Sequence, residues 1–294
     1  MEPCHAHTPI RQRASTAELI KLIKLIKLIK LIKLIKLPKL PNSQTPMRIL
    51  ILSDIHANLA ALEAVLATPE AAACDQLWCL GDTVGYGPNP NECVALMQRH
   101  ATVALCGNHD LAALGRTTDH DFNRYAQRAI DWTAAQLSPS THGWLSELPS
   151  RRDDVHSLFS LCHASPRDPV WEYVTDAELA AANFPHFDQR FALVGHTHYP
   201  AIFRQDESAL VAGYYPMPEY ELPLGTEGAV RFIINPGSVG QPRDQDPRAS
   251  FALFDDEAIT LTYHRVDYDI AATQRQMRAA GLPKRLVERL EIGW

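Results

Sequence analysis

Five short apolar runs, each followed at once by residues that can bind a metal ion, limit what this chain can fold into. The runs are five to seven residues long and begin at Met47, Asp75, Ala101, His156 and Arg190. They are rich in Leu, Val, Ile or Phe, which is typical of buried strands. Apolar periodicity and Asn caps predict helices over 58–67, 91–99 and 123–137. The alternation predicts βαβ units and an α/β fold.

Polar side chains follow all five predicted strands. They are Asp54 and His56, then Asp82, then Asn108, His109 and Asp110, then His163, and finally His196 and His198. One such residue is weak evidence, because a lone strand-end histidine is more often a hydrogen-bonded core residue. Strand ends converge at the carboxyl edge of such a sheet, however, and five of them together predict one shared site. Gly81 and Gly85 would allow the chain to turn tightly around Asp82.

This series of residues resembles the calcineurin-like metallophosphoesterase superfamily. The pattern D-x-H, G-D, G-N-H-D, a lone His and G-H-x-H is complete and in order. The stretches 81–93 and 235–244 are similar to a branch of small prokaryotic phosphodiesterases of the YfcE-like and diadenosine-tetraphosphatase-like kind. The resemblance extends from residue 47 to about 265. It implies a four-layer α/β/β/α sandwich with a dinuclear metal site at the carboxyl edge of the sheets.

The resemblance also implies a ligand set for two divalent ions. One ion would be held by Asp54, His56, Asp82 and His198, and the other by Asp82, Asn108, His163 and His196, with Asp82 as the bridge. Oxygen and imidazole donors without thiolate favour Mn²⁺, Fe or Zn²⁺, and Ni or Co are also accepted. The implied reaction is hydrolysis of a phosphodiester or phosphomonoester by attack of a metal-bridging hydroxide.

The candidate catalytic residues are His109 and Asp82, and the candidate substrate-binding residues are Asn108, His109, Arg243 and Tyr86. His109 would be the general acid or a phosphate contact, and the alternative is a structural histidine bonded to Asp110. Tyr86 would stack on a leaving group or pack within its loop. Arg243 and Arg167 would bind phosphate or lie in solvent. These alternatives stay open on the sequence alone.

The net charge of the chain, and its differences from the motifs of related enzymes, narrow the class of substrate. The chain has 28 basic and 34 acidic residues, of which nine and two lie in residues 1–46, so the remainder carries about −13. Such an acidic body argues against long nucleic acids and against a nuclease, and it favours a small nucleotide-like phosphoester. The loop after Asp82 lacks the Asp and Arg of protein Ser/Thr phosphatases, which makes that alternative less favoured. A non-catalytic interaction protein on the same fold is the other alternative.

Residues 1–46 differ in composition from the rest. Residues 21–37 repeat Lys-Leu-Ile with a period of three, which gives no fixed polar face on a helix or a strand. We predict a low-complexity, disordered extension, or an upstream start, with a single domain over 47–294. A membrane-adsorbing basic segment is the alternative, although no membrane association is expected. The cysteines form no CxxC pair and predict reduced thiols in the cytoplasm.

The later half of the chain predicts more strands. The segments 201–205, 230–238, 249–255 and 258–266 have the apolar, β-branched character of strands. We expect them to form a second, largely antiparallel sheet, followed by one or two amphipathic helices over 269–290. The resemblance additionally implies a homodimer.

Overall fold

The computed structural model describes residues 47–117, 122–225 and 229–294, and all three ranges belong to one structural unit. The predicted N-terminal extension, residues 1–46, lies outside these ranges. No helix within them combines the length and the apolar character needed to cross a membrane.

Strands alternate with helices in the first half of the domain and follow one another in the second. The strands are β1 Arg48–Leu52, β2 Gln76–Cys79, β3 Val103–Ala104, β4 Arg151–Val155, β5 Phe159–Cys162, β6 Phe191–Leu193, β7 Pro200–Gln205, β8 Val211–Tyr214, β9 Glu221–Pro223, β10 Arg231–Pro236, β11 Ala249–Asp255 and β12 Thr260–Val266. The helices are α1 Leu59–Leu66, α2 Pro69–Ala72, α3 Pro90–His100, α4 Asn108–Ala113, α5 Arg124–Gln136, α6 Pro139–Glu147, α7 Ala177–Asn183, α8 Ile270–Ala279 and α9 Lys284–Arg289, with a 3-10 turn at Phe184–His186.

The strands form two six-stranded mixed sheets. The first has the order β3-β2-β1-β11-β12-β9, and the second has the order β4-β5-β6-β10-β7-β8. In the first, β1, β2 and β3 are parallel, and β11 pairs with β1 in the antiparallel sense. In the second, β5, β6 and β10 are parallel. The five predicted strands are therefore divided between the sheets, and their carboxyl ends meet at one edge.

Three apolar layers hold the sandwich together. The inner layer lies between the sheets, where the ring of Phe159 from β5 contacts Trp78 of β2 and Phe254 of β11 with centroids 5.4 and 5.0 Å apart. A second layer packs α1 and α3 on the outside of the first sheet, and a third packs α7 on the outside of the second. This is the predicted four-layer α/β/β/α arrangement.

The predicted later strands exist, but their pairing differs from the prediction. We expected one separate antiparallel sheet, whereas β7 and β10 join the sheet of β5 and β6, and β11 and β12 join the sheet of β1. The apolar pattern identifies a strand without specifying its partner, because side-chain alternation is the same in either sheet. β3 is also shorter than its apolar run, since Cys106 donates its N–H to the Pro149 carbonyl instead of to β2.

The helix predictions agree with the structure within a residue or two at each end. The side chain of Asn58 accepts the N–H of Ala61 and caps α1, and the side chain of Asn123 does the same for α5 with Tyr125 and Ala126. The predicted C-terminal helical segment consists of the two helices α8 and α9. Helices α2, α4, α6 and α7 were not predicted.

Candidate metal centre and substrate cavity

The candidate ligands come together from both sheets at the carboxyl edge. Asp54, His56, Asp82 and Asn108 follow strands of the first sheet, and His163, His196 and His198 follow strands of the second. Each of these seven side chains belongs to a residue that is at most 3% exposed. Burial of so many ionisable groups is costly, so their convergence needs a compensating interaction.

Strained backbone conformations hold this edge. Asp54, His56, Asp82, His196 and His198 all have φ between 50° and 66°. Non-glycine residues rarely adopt this left-handed region, and such outliers persist where surrounding structure enforces them, often at functional sites. The sequence pattern predicted the residues but not this strain.

One group of donors consists of Asp54, His56 and His198, whose ligand atoms lie within 4.8 Å of one another. The Nδ1 atoms of His56 and His198 donate to the backbone carbonyls of Val84 and Gln241, at 3.2 and 2.6 Å. A carbonyl only accepts, so each Nδ1 carries the proton and each Nε2 keeps a lone pair. The two Nε2 atoms face each other at 3.0 Å.

The second group consists of Asp82, His163 and His196, again within 4.8 Å. His163 donates Nδ1–H to the Leu80 carbonyl, and its Nε2 lies 3.1 Å from Oδ1 of Asn108. Oδ2 of Asp82 is buried without a hydrogen-bond partner among the described residues. It lies 3.6 Å from Nε2 of His56 and 3.5 Å from Nε2 of His163, between the two groups.

These contacts fit divalent cations. The Nε2 lone pairs of His56 and His198 face each other, and Oδ2 of Asp82 has no partner among the described residues, so these groups repel one another unless a cation lies among them. The donors are nitrogen and oxygen, which suit Mn²⁺, Fe or Zn²⁺. Backbone carbonyls that fix the imidazole tautomers are the usual outer support of metal-binding histidines.

Burial prepares most of the histidines as neutral ligands. It lowers the pKa of His196 to about 3 and those of His56 and His198 well below the ordinary value. His163 differs: burial opposes its charge, but the neighbouring Asp82 raises its pKa to about 9. Asp82 is also buried, yet His163 and His109 hold its pKa below the usual range. A carboxylate charged at neutral pH is what a bridging ligand requires.

His109 lies beside this centre and is not held by Asp110. Its backbone N–H donates to Oδ1 of Asp82 at 2.9 Å, while its Nδ1 is buried without a partner in the described ranges. The Asp110 carboxylate instead accepts backbone N–H groups of Thr83, Val84 and Gly107 at 2.9–3.3 Å. Among the described residues, the His109 side chain therefore forms no hydrogen bond with Asp110, and the catalytic role of His109 stays a prediction.

Tyr86 and Arg243 lie together at the border of the centre. The Tyr86 ring is 6% exposed and packs against His56 and His109, with centroids 4.6 and 4.3 Å apart. The Arg243 guanidinium lies 3.4 Å from the Tyr86 hydroxyl. Arg167 lies elsewhere and forms an ion pair with Glu172. Packing thus accounts for most of the Tyr86 surface, and Arg167 follows its solvent-exposed alternative.

An open cavity of about 470 Å³ adjoins the centre on the side of Asn108 and His109. Its wall includes residues that the sequence motifs did not identify: Phe122, Trp171, Tyr173, Arg285 and Arg289. The two arginines belong to α9, beyond the predicted similarity to the family. The segment that carries Trp171 also touches the metal centre, since the Trp171 carbonyl accepts from Nε2 of His196 at 3.1 Å.

Comparisons with known proteins agree with the geometry. Residues 47–258 match the calcineurin-like phosphoesterase superfamily domain. A metallophosphoesterase of known structure from Sphaerobacter thermophilus is 48% identical, with a TM-score of 0.77, over 85% of this chain and 100% of that one. The chain therefore belongs to the calcineurin-like phosphoesterase superfamily, as the motifs predicted, and it is a metal-dependent phosphoric ester hydrolase.

Two further relatives differ in what is known of them. An uncharacterized protein of Methanocaldococcus jannaschii is 36% identical over 250 residues, which are 83% of this chain and 98% of the relative. The symmetrical bis(5'-nucleosyl)-tetraphosphatase of Erwinia tasmaniensis is 28% identical over 196 residues, which are 64% of this chain and 65% of that enzyme.

Proposed function

We propose that this chain hydrolyses a small phosphodiester or phosphomonoester at a dinuclear centre. Asp54, His56, Asp82 and His198 would hold one divalent ion, and Asp82, Asn108, His163 and His196 the other. The observation that carries the proposal is the unpartnered Oδ2 of Asp82 between two imidazole Nε2 atoms, at 3.6 and 3.5 Å. Two such ions, when bound, polarise phosphoryl oxygens and lower the pKa of water.

The chain's own residues have distinct parts in this proposal. Asp82 would bridge the two ions, and its Oδ1 accepts the backbone N–H of His109. Burial lowers the pKa of His109 to about 4, so the free protein holds this imidazole neutral at pH 7. A neutral imidazole donates one N–H bond to a phosphate oxygen, and the charge of the bound phosphate raises its pKa towards that of a general acid. Arg243 would bind phosphate from the cavity side.

A small, nucleotide-like substrate is supported by the cavity and by the tetraphosphatase relative. Aromatic side chains beside arginines suit a base and phosphate groups. A protein Ser/Thr phosphatase is less favoured, because residues 83–87 of the loop after Asp82 include neither the acid nor the arginine that those enzymes have there.

Manganese, a cytoplasmic location and a homodimer complete the proposal. Manganese is compatible with the mixed oxygen and imidazole donors. The described cysteines, Cys74, Cys79, Cys93, Cys106 and Cys162, are free thiols, which suits a reducing compartment. The homodimer rests on the family resemblance alone, and light scattering in solution tests it.

The central experiment measures hydrolysis of bis-p-nitrophenyl phosphate and p-nitrophenyl phosphate by metal-stripped protein before and after Mn²⁺ is restored. We expect turnover only with metal, and we expect Asn108→Ala to lower kcat/KM by more than about 100-fold, beyond what changes outside the ligand set usually cause. Asn91→Ala, an amide at the start of α3 that bonds the Gln136 carbonyl, is the control. Folded protein that binds no metal would overturn the proposal in favour of an interaction protein.

A further inference from the structure

The cavity wall contributed by the C-terminal helices is strongly basic. Arg285 and Arg289 of α9 line the cavity together with Arg243 from the loop before β11. Helices α8 and α9 lie outside residues 47–258, which match the family model. They are nevertheless anchored to the site, since Leu286, Val287 and Leu290 pack in one apolar cluster with Tyr86.

Among the described residues, none of these three arginines pairs with an Asp or Glu side chain. No such carboxylate lies within 4.0 Å of Arg243, Arg285 or Arg289 there, although this domain has many more acids than bases, and only the α-carboxylate of Trp294 accepts a hydrogen bond from Arg289. Arg151, Arg248 and Arg265 each form an ion pair with an aspartate, whereas exposed arginines such as Arg99 and Arg128 form none with the residues that the structure describes. What distinguishes Arg243, Arg285 and Arg289 is that they line one cavity, and a cluster of arginines at a cavity in an acidic domain indicates a site for an anion.

The contacts of these three arginines leave several guanidinium N–H donors without an acceptor among the described residues. Nε of Arg243 is buried without a hydrogen-bond partner in the described part of the chain, and its terminal nitrogen makes only long contacts of 3.3 and 3.4 Å. The Arg285 guanidinium lies 5.7 Å from the centre of the Tyr125 ring. Arg289 donates Nε–H to the α-carboxylate of Trp294, the last residue, and its two terminal nitrogens form no hydrogen bond among the described residues.

The positive charges of Arg243 and Arg289 also repel each other. Burial, and then the charge of Arg243, lower the pKa of Arg289 to about 10. Like charges held close in a partly buried cavity destabilise the protein unless an anion neutralises them. Arginine is the side chain best suited to that anion when it is a phosphate, because its planar fork binds two oxygens at once.

We propose that Arg243, Arg285 and Arg289 form a subsite for a second phosphate group of the substrate, beside the phosphate that is hydrolysed. The preferred substrate is therefore a phosphoester with at least two phosphate groups, which distinguishes it from simple monoesters and diesters. This inference rests on the proposed function, because the first phosphate is taken to lie at the metal centre.

Competitive inhibition of bis-p-nitrophenyl phosphate hydrolysis tests the subsite at constant free Mn²⁺. AMP carries one phosphate, ADP carries two in a chain, and adenosine 3',5'-bisphosphate carries two at separate positions. We expect the protein to bind one of the latter two at least tenfold more tightly than AMP. Whether ADP or the bisphosphate binds more tightly shows whether the second phosphate lies on an anhydride chain or elsewhere on the nucleoside.

Charge-removing variants assign that preference to the arginines. Arg285→Gln and Arg289→Gln should each reduce the preference over AMP to about threefold or less. Arg278→Gln removes the same charge from the exposed face of α8 and should retain it. Equal affinity of the unaltered protein for all three nucleotides, or an equal reduction in Arg278→Gln, overturns the subsite.

Titration calorimetry separates this result from failure of the proposed function. If the unaltered protein does not turn over bis-p-nitrophenyl phosphate with any metal, the proposed function is wrong, yet calorimetry still measures whether the second phosphate increases affinity through Arg285. Because Arg285 is exposed, its variant is expected to fold normally, and circular dichroism checks this.

Discussion

The candidate metal ligands and the arginines of the neighbouring cavity differ in burial and in how the chain holds them. The ligands lie on short side chains at strand ends, are nearly inaccessible, and mostly have left-handed backbone conformations. The arginines have long side chains, and Arg285 is exposed on a terminal helix. The metal centre is thus fixed by the backbone, whereas the cavity wall is determined by side-chain choice. Changes to the first should affect metal content, and changes to the second should affect substrate preference.

Asp82→Asn should have the largest effect on the candidate metal centre. The variant removes the charge that lies between both donor groups, so we expect metal content to fall and kcat/KM to decrease by about 10³-fold or more. Metal analysis and bis-p-nitrophenyl phosphate hydrolysis measure both effects. Asp188→Asn, an exposed acid before β6, is the matched control and should change neither. Full metal content in Asp82→Asn would contradict the bridging role.

His109→Gln tests a residue that lies between the candidate metal centre and the neighbouring cavity. His109 contacts the ligand Asp82 through its backbone, but its side chain faces the cavity. We therefore expect normal metal content and a loss in kcat of about 10²-fold, the lower range for a missing general acid. The exposed residue His142 of α6 supplies the control, His142→Gln.

The leaving group separates the two roles of His109. A general acid matters more for an alkyl phosphate ester than for a p-nitrophenyl ester, because the p-nitrophenolate leaves without a proton. We expect the loss in His109→Gln to be larger for the alkyl ester. Equal losses would assign His109 to phosphate binding alone.

Gly107→Ala tests how tightly the backbone fixes the centre. A Cβ atom there would lie 2.0 Å from Oδ1 and 2.6 Å from the backbone nitrogen of Asp82. Relief of that overlap requires the backbone to shift, so we expect the free energy of unfolding to decrease by about 1–3 kcal/mol. Urea denaturation measures it.

Gly143→Ala is the matched control for that glycine. Gly143 lies within α6, and a Cβ atom added there meets nothing within 4 Å. Alanine in a helix restricts the unfolded chain, so we expect stabilisation of up to about 1 kcal/mol. The same sign for both variants would mean that the space around Gly107 is less restricted than the contacts indicate.

The sequence identified the candidate metal ligands but not the arginines of the cavity, and the reason is physical. A ligand such as Asp54 or His198 must follow a buried strand at a set position, which leaves an order of residue types that can be read along the chain. The individual ligand assignments remain predictions. Arg285 and Arg289 lie on an ordinary amphipathic helix, where nothing local distinguishes a cavity arginine from a solvated one.

Strand pairing was the other feature that the sequence could not provide. Local pattern identified β11 as a strand but placed it in the wrong sheet, because pairing depends on contacts far apart in the chain. Asp110 is a similar case: its position next to His109 left a hydrogen bond between the two as an alternative, whereas its carboxylate accepts the backbone N–H groups of Thr83 and Val84 in the loop after Asp82.

The pairing of β1 with β11 has a consequence for how the protein is made. Arg48 and Asp255 lie opposite each other although 207 positions separate them in the chain. Contacts of such high sequence separation form slowly, and β11 emerges from the ribosome only after all the residues between it and β1 have been synthesised. Throughout that interval, we expect the nascent chain to expose the apolar strand β1 with one edge unpaired. This strand would then be a binding site for chaperones during translation.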